Sequence, residues 1–147
     1  MAKEWGLSVE TYQGHGGRTL GAFCPKGIIA LGVKNPATWC HELVHAADFR
    51  NGKLKELGQH WRSETVAELG SAVLLQILGY EYESDLGGCW EYLKSYATKA
   101  HVEVVEACNI LLERTCEAVA LILDTAERLK TTNNPECENA EYALQAG

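Results

Sequence analysis

The chain has 147 residues, of which 46% are hydrophobic and 22% charged, the balance of one globular domain that can bury its own core. Its 13 basic and 20 acidic residues give a net charge of −7, which disfavours binding to a phosphate backbone by this chain alone. No apolar run approaches the ~18 residues needed to cross a bilayer, so we expect neither a nucleic acid nor a membrane as partner.

The start of the chain and its cysteines favour a cytoplasmic protein. The run Met1-Ala2-Lys3-Glu4-Trp5 has no apolar stretch after its lysine, unlike a signal peptide. The six cysteines include no CxxC pair, which excludes thiolate zinc ribbons and thioredoxin-type redox motifs. We therefore expect reduced cysteines.

Three short strands are predicted in the first part of the chain, at residues 7–12, 18–24 and 28–33. The glycine-rich run 14–17 predicts a turn between the first two strands, and Pro25-Lys26-Gly27 joins the second to the third. Because such short links permit hairpins but not crossovers, we expect a small antiparallel sheet.

The rest of the chain predicts about four helices. Asn35-Pro36 is a typical helix start and Asn51-Gly52 a typical stop for the first of them. The others are expected at residues 62–78, from a cap at Ser84 or Asp85 to about Thr98, and at residues 100–130. From Thr131 we expect a frayed tail. With no repeat and no linker, residues 1–147 are predicted to form one α+β domain.

The run His41-Glu42-Leu43-Val44-His45 matches the motif H-E-x-x-H inside the first predicted helix. Residues four apart share a helical face, so both imidazoles can bind one zinc ion. Glu42 lies about 100° further around the helix, beside the open position of the metal. There its carboxylate can take a proton from the attacking water, so the pattern predicts a peptide hydrolase.

Zinc needs a third protein ligand, and the second predicted helix offers one. Asp48 and Asn51 stand where a metzincin would have glycine and histidine, so that class is excluded. Glu64 lies 19 residues beyond His45 and is the predicted ligand, while Glu68, one turn later, is expected to accept the free N–H of a ligand histidine. The reverse assignment of the two glutamates, a surface role for Glu68, and His60 as third ligand are the alternatives.

The runs His41–Ala47 and Glu64–Ala72 resemble the zincin-like metallopeptidase domain of ArdC-type antirestriction proteins, which pair H-E-L-x-H with an E-E-L-V-A-E-L-G-[SA]-A-F-L helix. The similarity continues through Leu78-Gly79 and residues 90–94 and covers roughly residues 20–125. Ser63 replaces the first glutamate of the E-E pair. The chain has no room for the single-strand DNA-binding domain of ArdC proteins.

The resemblance implies a zincin-like fold and a zinc site made by His41, His45 and Glu64, with Glu42 as catalytic base. These domains are similar in layout to the gluzincin-like ImmA/IrrE peptidases, whose glutamate ligand stands in an E-x-x-A context like Glu64–Ala67. The implied function is zinc-dependent hydrolysis of a protein or peptide substrate.

Two alternative functions remain: a zinc-containing binding or antirestriction module of a mobile genetic element, with incidental catalysis, and a helical scaffold without metal. Other residues also enter as candidates. Cys24 is a candidate inhibitory thiolate, Cys40 is expected to pack, and Asp48 can orient an imidazole. A donor for the developing oxyanion is expected among His60, His101, Tyr80, Tyr82 and Tyr96.

Overall fold

The computed structural model of the chain describes residues 1–13, 20–56, 58–80, 82 and 86–133. Three strands are followed by four helices, which confirms the predicted α+β class. In chain order the elements are β1 (Ser8–Thr11), β2 (Gly21–Cys24), β3 (Ile28–Leu31), α1 (Pro36–Arg50), α2 (Trp61–Ile77), α3 (Leu86–Lys99) and α4 (Val104–Asn133). The predicted turn at 14–17, residues 18–19, the caps Ser84 and Asp85, and the tail beyond residue 133 lie outside the described residues.

The sheet is mixed, with the strand order β1-β3-β2. β2 and β3 form the predicted antiparallel hairpin, with Gly21 opposite Leu31. β1 instead pairs in parallel with β3, with Ser8 opposite Ile28. The chain reverses once before β2 and once after it, so β3 runs in the same direction as β1 and lies between the other two strands. Antiparallel pairing throughout was expected because consecutive strands were taken to be neighbours.

Local signals set the start of α1 and the stops of α1 and α2 as predicted. The side chain of Asn35 accepts a hydrogen bond of 2.7 Å from the backbone N–H of Thr38, and Pro36 follows at the first helical position. Gly52 and Gly79, just beyond the two helices, have φ angles of 69° and 74°. This left-handed conformation stops an α-helix, and glycine adopts it without strain.

The long final helix begins and ends later than predicted. His101 has a φ of 56°, and an α-helix cannot pass through a residue in this left-handed conformation. The backbone N–H of Val102 bonds back to the carbonyl of Ala97 in α3. α4 therefore begins at Val104 rather than Ala100. It continues through Thr131, the predicted start of the tail, to Asn133.

The core lies between α1, α2 and α4, and the sheet covers α1. Ile29 of β3 is fully buried in it, and the Trp5 indole N–H donates to Thr125 of α4 over 3.3 Å. The helices contribute small and aliphatic side chains: Cys40, Leu43, Val44, Ala46, Ala47, Val66, Ala67, Leu74, Leu75, Leu111, Ala118, Val119 and Ile122. Within the described residues, no helix combines the length and the apolar character needed to cross a membrane.

Candidate metal centre

α1 and α2 bring His41, His45 and Glu64 together. The two imidazoles project from successive turns of α1, with their ring centroids 4.9 Å apart. Glu64 lies in the first turn of α2 and points between them. Its Oε2 is 3.5 Å from His41 Nε2 and its Oε1 is 3.8 Å from His45 Nε2.

The spacing of these three groups fits a metal ion. One donor atom from each residue can be chosen so that all lie within 4.8 Å of one another. In a tetrahedral zinc site, with bonds of about 2.0–2.2 Å, donor atoms lie about 3.3–3.6 Å apart. The two imidazole–carboxylate distances are close to that range. Two imidazole nitrogens and one carboxylate oxygen are also a donor set that zinc accepts, so the residues present fit the ion.

Two further side chains contact this cluster. The Glu68 carboxylate lies 3.2 Å from His41 Nδ1, so Nδ1–H can donate to it while Nε2 faces the cluster. The Tyr92 hydroxyl, from α3, donates to Glu64 Oε2 over 3.1 Å, and it lies 3.2 Å from the Tyr96 hydroxyl. Glu68 was expected beside a ligand histidine. Tyr92 was not among the candidates, because nothing in the sequence indicates which face of α3 turns towards α2.

Glu42 lies beside the cluster, against strand β2. Its side chain is almost fully buried, at 5% exposure, and the backbone N–H of Phe23 bonds to its carboxylate. A Cβ atom at Gly21 would come within 2.7 Å of Glu42 Oε1 and of the Thr38 methyl group, so the close approach of β2 to α1 requires glycine at this position. The sheet thus positions the carboxylate that the sequence assigned as base.

Burial and the neighbouring charges shift the pKa values of all four groups. Burial raises the pKa of Glu42 to about 7, against the opposing charge of His41. Burial alone would lower the pKa of His41, but hydrogen bonds to Glu64 and Glu68 outweigh it and raise this pKa to about 9. Burial and the charge of His41 lower the pKa of His45 to about 4. The pKa of Glu64 is lowered despite its burial, because both histidines favour its anion. The lowered pKa keeps the Glu64 carboxylate anionic, which is the form that binds a cation.

The cluster lies at the wall of a cavity of about 730 Å³. His41, Glu42, His45 and Glu64 all line it, and β2 forms one side. The cavity continues past Glu68 to the tyrosines of α3 and to the connection between α1 and α2. The candidate metal site is therefore reached through this cavity.

The other residues that the sequence offered as oxyanion donors, ligands or thiolates lie at different places in the structure. Tyr96 lines the cavity, whereas Tyr80, Tyr82 and His101 do not. His60 does not join the metal cluster, since it caps α2 and its Nδ1 accepts from the backbone N–H of Arg62 over 3.3 Å. Among the cysteines, Cys40 is buried in the core and burial raises its pKa to about 11, as expected of a packing residue. Cys24 does not line the cavity, although both of its neighbours do.

Asp48 does not orient an imidazole. It is completely buried, and both of its carboxylate oxygens accept hydrogen bonds from Arg114 of α4, the shortest of 2.6 Å. Arg114 also donates to both carboxylate oxygens of Glu56 over 2.9 Å. This cluster of Asp48, Arg114 and Glu56, hereafter the arginine clamp, fixes the connection between α1 and α2 at the rim of the cavity. The sequence suggests an imidazole as the partner of Asp48 because Asp48 lies close to His45 along the chain. Its actual partner, Arg114, is 66 residues away, and no local pattern indicates such a contact.

Comparisons of this chain with family models, with curated proteins and with solved structures found no match.

Proposed function

We propose that the protein is a zinc-dependent peptide hydrolase of the gluzincin type, a zincin-like domain similar to that of ArdC-type proteins. In this proposal His41, His45 and Glu64 bind the zinc, and Glu42 is the general base. The convergence of these three donors from two helices, with a buried carboxylate beside them in an open cavity, is the observation that carries the proposal.

Each residue has a role in the reaction. A bound zinc ion acts as a Lewis acid that polarises the substrate carbonyl and lowers the pKa of water. Glu42 accepts the proton of the attacking water and passes it to the leaving amine. Glu68 holds the His41 ring through Nδ1. The Tyr92 hydroxyl, which donates to Glu64 in this structure, can turn from it to donate to the negative charge that develops on the substrate oxygen.

A peptide is the substrate class that fits the surroundings of the site. β2 is an edge strand of the sheet and lines the cavity, and an extended peptide can add to such an edge through main-chain hydrogen bonds. We place the reaction in the cytoplasm, a reducing compartment, because the five cysteines among the described residues are free thiols.

The alternative is a zinc-containing binding module with incidental catalysis. The position of Glu42 favours the hydrolase over this alternative. A purely structural zinc site closes its fourth position with another ligand and needs no base. Here a carboxylate that is not among the three clustered donors is held at the cavity wall by Gly21 and Phe23.

Replacing Glu42 by glutamine tests the proposal. The shape of the side chain is nearly kept but the proton acceptor is lost, so we expect hydrolysis to fall by about 10²- to 10⁴-fold with zinc content unchanged. The measurement is the cleavage of a tryptic peptide library, prepared from a bacterial lysate, followed by mass spectrometry, with metal content determined on the same samples.

Glu91→Gln is the matched control, because Glu91 lies on α3 with its side chain 69% exposed. This variant should cleave like the wild type. Equal cleavage by wild type and Glu42→Gln would reject Glu42 as the base and favour the binding module. Loss of zinc from Glu42→Gln would instead make Glu42 a ligand.

A further inference from the structure

A smaller cleft of about 230 Å³ adjoins the metal cavity at the start of α2 and the end of α3. It is lined by Gln59, His60, Trp61, Tyr96, Lys99 and Ala100. Gln59 and Tyr96 line both spaces, so the two are neighbouring parts of one surface. The Tyr96 hydroxyl reaches the candidate metal site through Tyr92, which in turn bonds to Glu64.

One cation, Lys99, lines this cleft, and a second, Arg62, stacks on the ring of Trp61, which also lines it. The Lys99 ammonium lies 5.1 Å from the centre of the Tyr96 ring, and the Arg62 guanidinium lies 4.8 Å from that of Trp61. No carboxylate of the described residues lies within 4.0 Å of either cation. The aromatic rings orient both cations without neutralising their charge.

His60 also lines the cleft. Its ring lies at 28° to that of Trp61, and its Nδ1 accepts the backbone N–H of Arg62. In the neutral ring the proton is then on Nε2, which is left to donate to a ligand. The cleft thus offers an ammonium and an imidazole N–H, with a guanidinium on the adjoining Trp61 ring, and these are donor groups that bind a carboxylate.

The charges differ between the two spaces. The metal cavity carries the side chains of Glu42, Glu64 and Glu68, whose negative charge a bound zinc ion would largely balance, so among the described residues the cavity outside the metal site holds no unpaired cation for an anionic group of the substrate. The cleft, one tyrosine ring away, attracts the same group. A substrate with an anionic group at a fixed distance from the bond to be cleaved is therefore oriented along the surface.

From this arrangement we propose that the cleft lined by His60 and Lys99, with Arg62 stacked on the Trp61 ring beside it, binds a carboxylate of the substrate, and that the enzyme prefers peptides with an acidic residue or a free C-terminus at that distance. This inference rests on the proposed peptide hydrolase.

The test uses the zinc-loaded protein and the same tryptic peptide library, in one portion with free carboxylates and in another with carboxylates amidated. We expect cleavage sites with aspartate or glutamate enriched at one fixed position, or at one fixed distance from the C-terminus, and loss of that preference on amidation. The first pattern identifies a side chain and the second a terminal carboxylate. Lys99→Glu should lower cleavage of the preferred peptides by about two- to five-fold, as expected for loss of one exposed ion pair.

Lys94→Glu is the matched control. Lys94 lies on α3 with its side chain 56% exposed. It is two residues after Tyr92, so the helical period places it on the opposite face of α3. The variant carries the same change of charge and should retain the preference. Cleavage by wild type without any acidic preference would overturn the carboxylate subsite and leave the hydrolase standing.

Binding without turnover separates this inference from the proposed function. Zinc-loaded Glu42→Gln, immobilised, should capture acidic peptides from the library, and the double variant with Lys99→Glu should not. If wild type cleaves nothing, the proposed function fails, and capture alone decides the subsite: acidic enrichment supports it and unselective capture overturns it. A further outcome is that capture shows no preference for acidic peptides and that a single-stranded oligonucleotide displaces the captured peptides. This result would assign the cleft to nucleic acid and would also overturn the carboxylate subsite.

Discussion

Glu64 and Glu68 lie one turn apart on α2 but have different neighbours. Glu64 is 6% exposed and lies between the two imidazoles, with Tyr92 donating to one of its oxygens. Glu68 contacts only His41 of the two imidazoles, and through Nδ1, the nitrogen that faces away from the cluster. The geometry therefore favours Glu64 as the metal ligand and Glu68 as the residue that orients His41.

Alanine at these two positions should have unequal effects on zinc binding. Glu64→Ala removes a donor atom, so the purified protein should lose its zinc. Glu68→Ala removes only the partner of the His41 N–H, and zinc affinity should fall by about 10- to 100-fold. Competition with a chromophoric chelator measures both affinities, and Glu117→Ala on α4 serves as a control without effect. If the two results are exchanged, the roles of the glutamates are reversed.

At the scale of elements, close contact between α1 and α2 sets the distance between the histidines and Glu64. Gly70 of α2 lies against Val44 of α1, and a Cβ atom at Gly70 would come within 2.9 Å of Val44 Cγ1. Both residues are buried. A side chain on Gly70 therefore has to push the two helices apart.

Gly70→Val should destabilise the fold by about 1–3 kcal/mol, the usual cost of overpacking, and weaken zinc binding because Glu64 moves away from His41. Urea unfolding and chelator competition measure the two effects. Val44→Ala removes the two methyl groups that are in the way, so the double variant should regain zinc affinity relative to Gly70→Val. Additive losses in the double variant would show that helix contact at Gly70 does not control the site.

The arginine clamp joins α4 to α1 and to the connection that follows α1. Arg114→Ala leaves Asp48 buried without its partner, which should cost about 3–5 kcal/mol at pH 7. Lys130→Ala, at a side chain 75% exposed on the same helix, should cost less than about 1 kcal/mol. A similar loss in the two variants would contradict a structural role for the clamp.

The contribution of the clamp should depend on pH. Hydrogen bonds from Arg114 lower the pKa of Glu56 from 4.5 to about 2, so this carboxylate stabilises the fold fully above pH 4.5. As the pH falls from 4.5 towards 2 the folded state takes up the proton and the stabilisation is lost. The difference in unfolding free energy between wild type and Arg114→Ala should therefore shrink over this range, as followed by urea denaturation. If the difference in unfolding free energy stays constant over this range, Glu56 does not contribute to stability through Arg114.

For the whole molecule, zinc should act as a link between α1 and α2. A ligand that binds only the folded state stabilises it, by about 2.7 kcal/mol at a free concentration of 100 times Kd. For a domain of this length that corresponds to a rise in Tm of about 5–10 °C. Scanning calorimetry with added zinc and with chelator should show this difference for wild type and none for His45→Ala. A wild-type Tm that zinc and chelator leave unchanged would reject the metal site.

The sequence by itself determined the features that depend on neighbours within a few residues. The start of α1 and the stops of α1 and α2 follow from Asn35-Pro36, Gly52 and Gly79, because capping is local chemistry. The common face of His41 and His45 follows from the helical period alone. Glu64 required one further step, the expectation of a glutamate ligand on the next helix about 20 residues downstream. The structure brings it to the histidines.

Only the tertiary structure decided the features that join distant parts of the chain. The parallel pairing of β1 with β3, the contact of Tyr92 with Glu64 and the pairing of Arg114 with Asp48 connect residues 20, 28 and 66 positions apart. No periodicity or capping rule extends over such separations. These contacts form because burial of the shared core fixes how the helices and the sheet pack, and that packing selects which polar side chains meet.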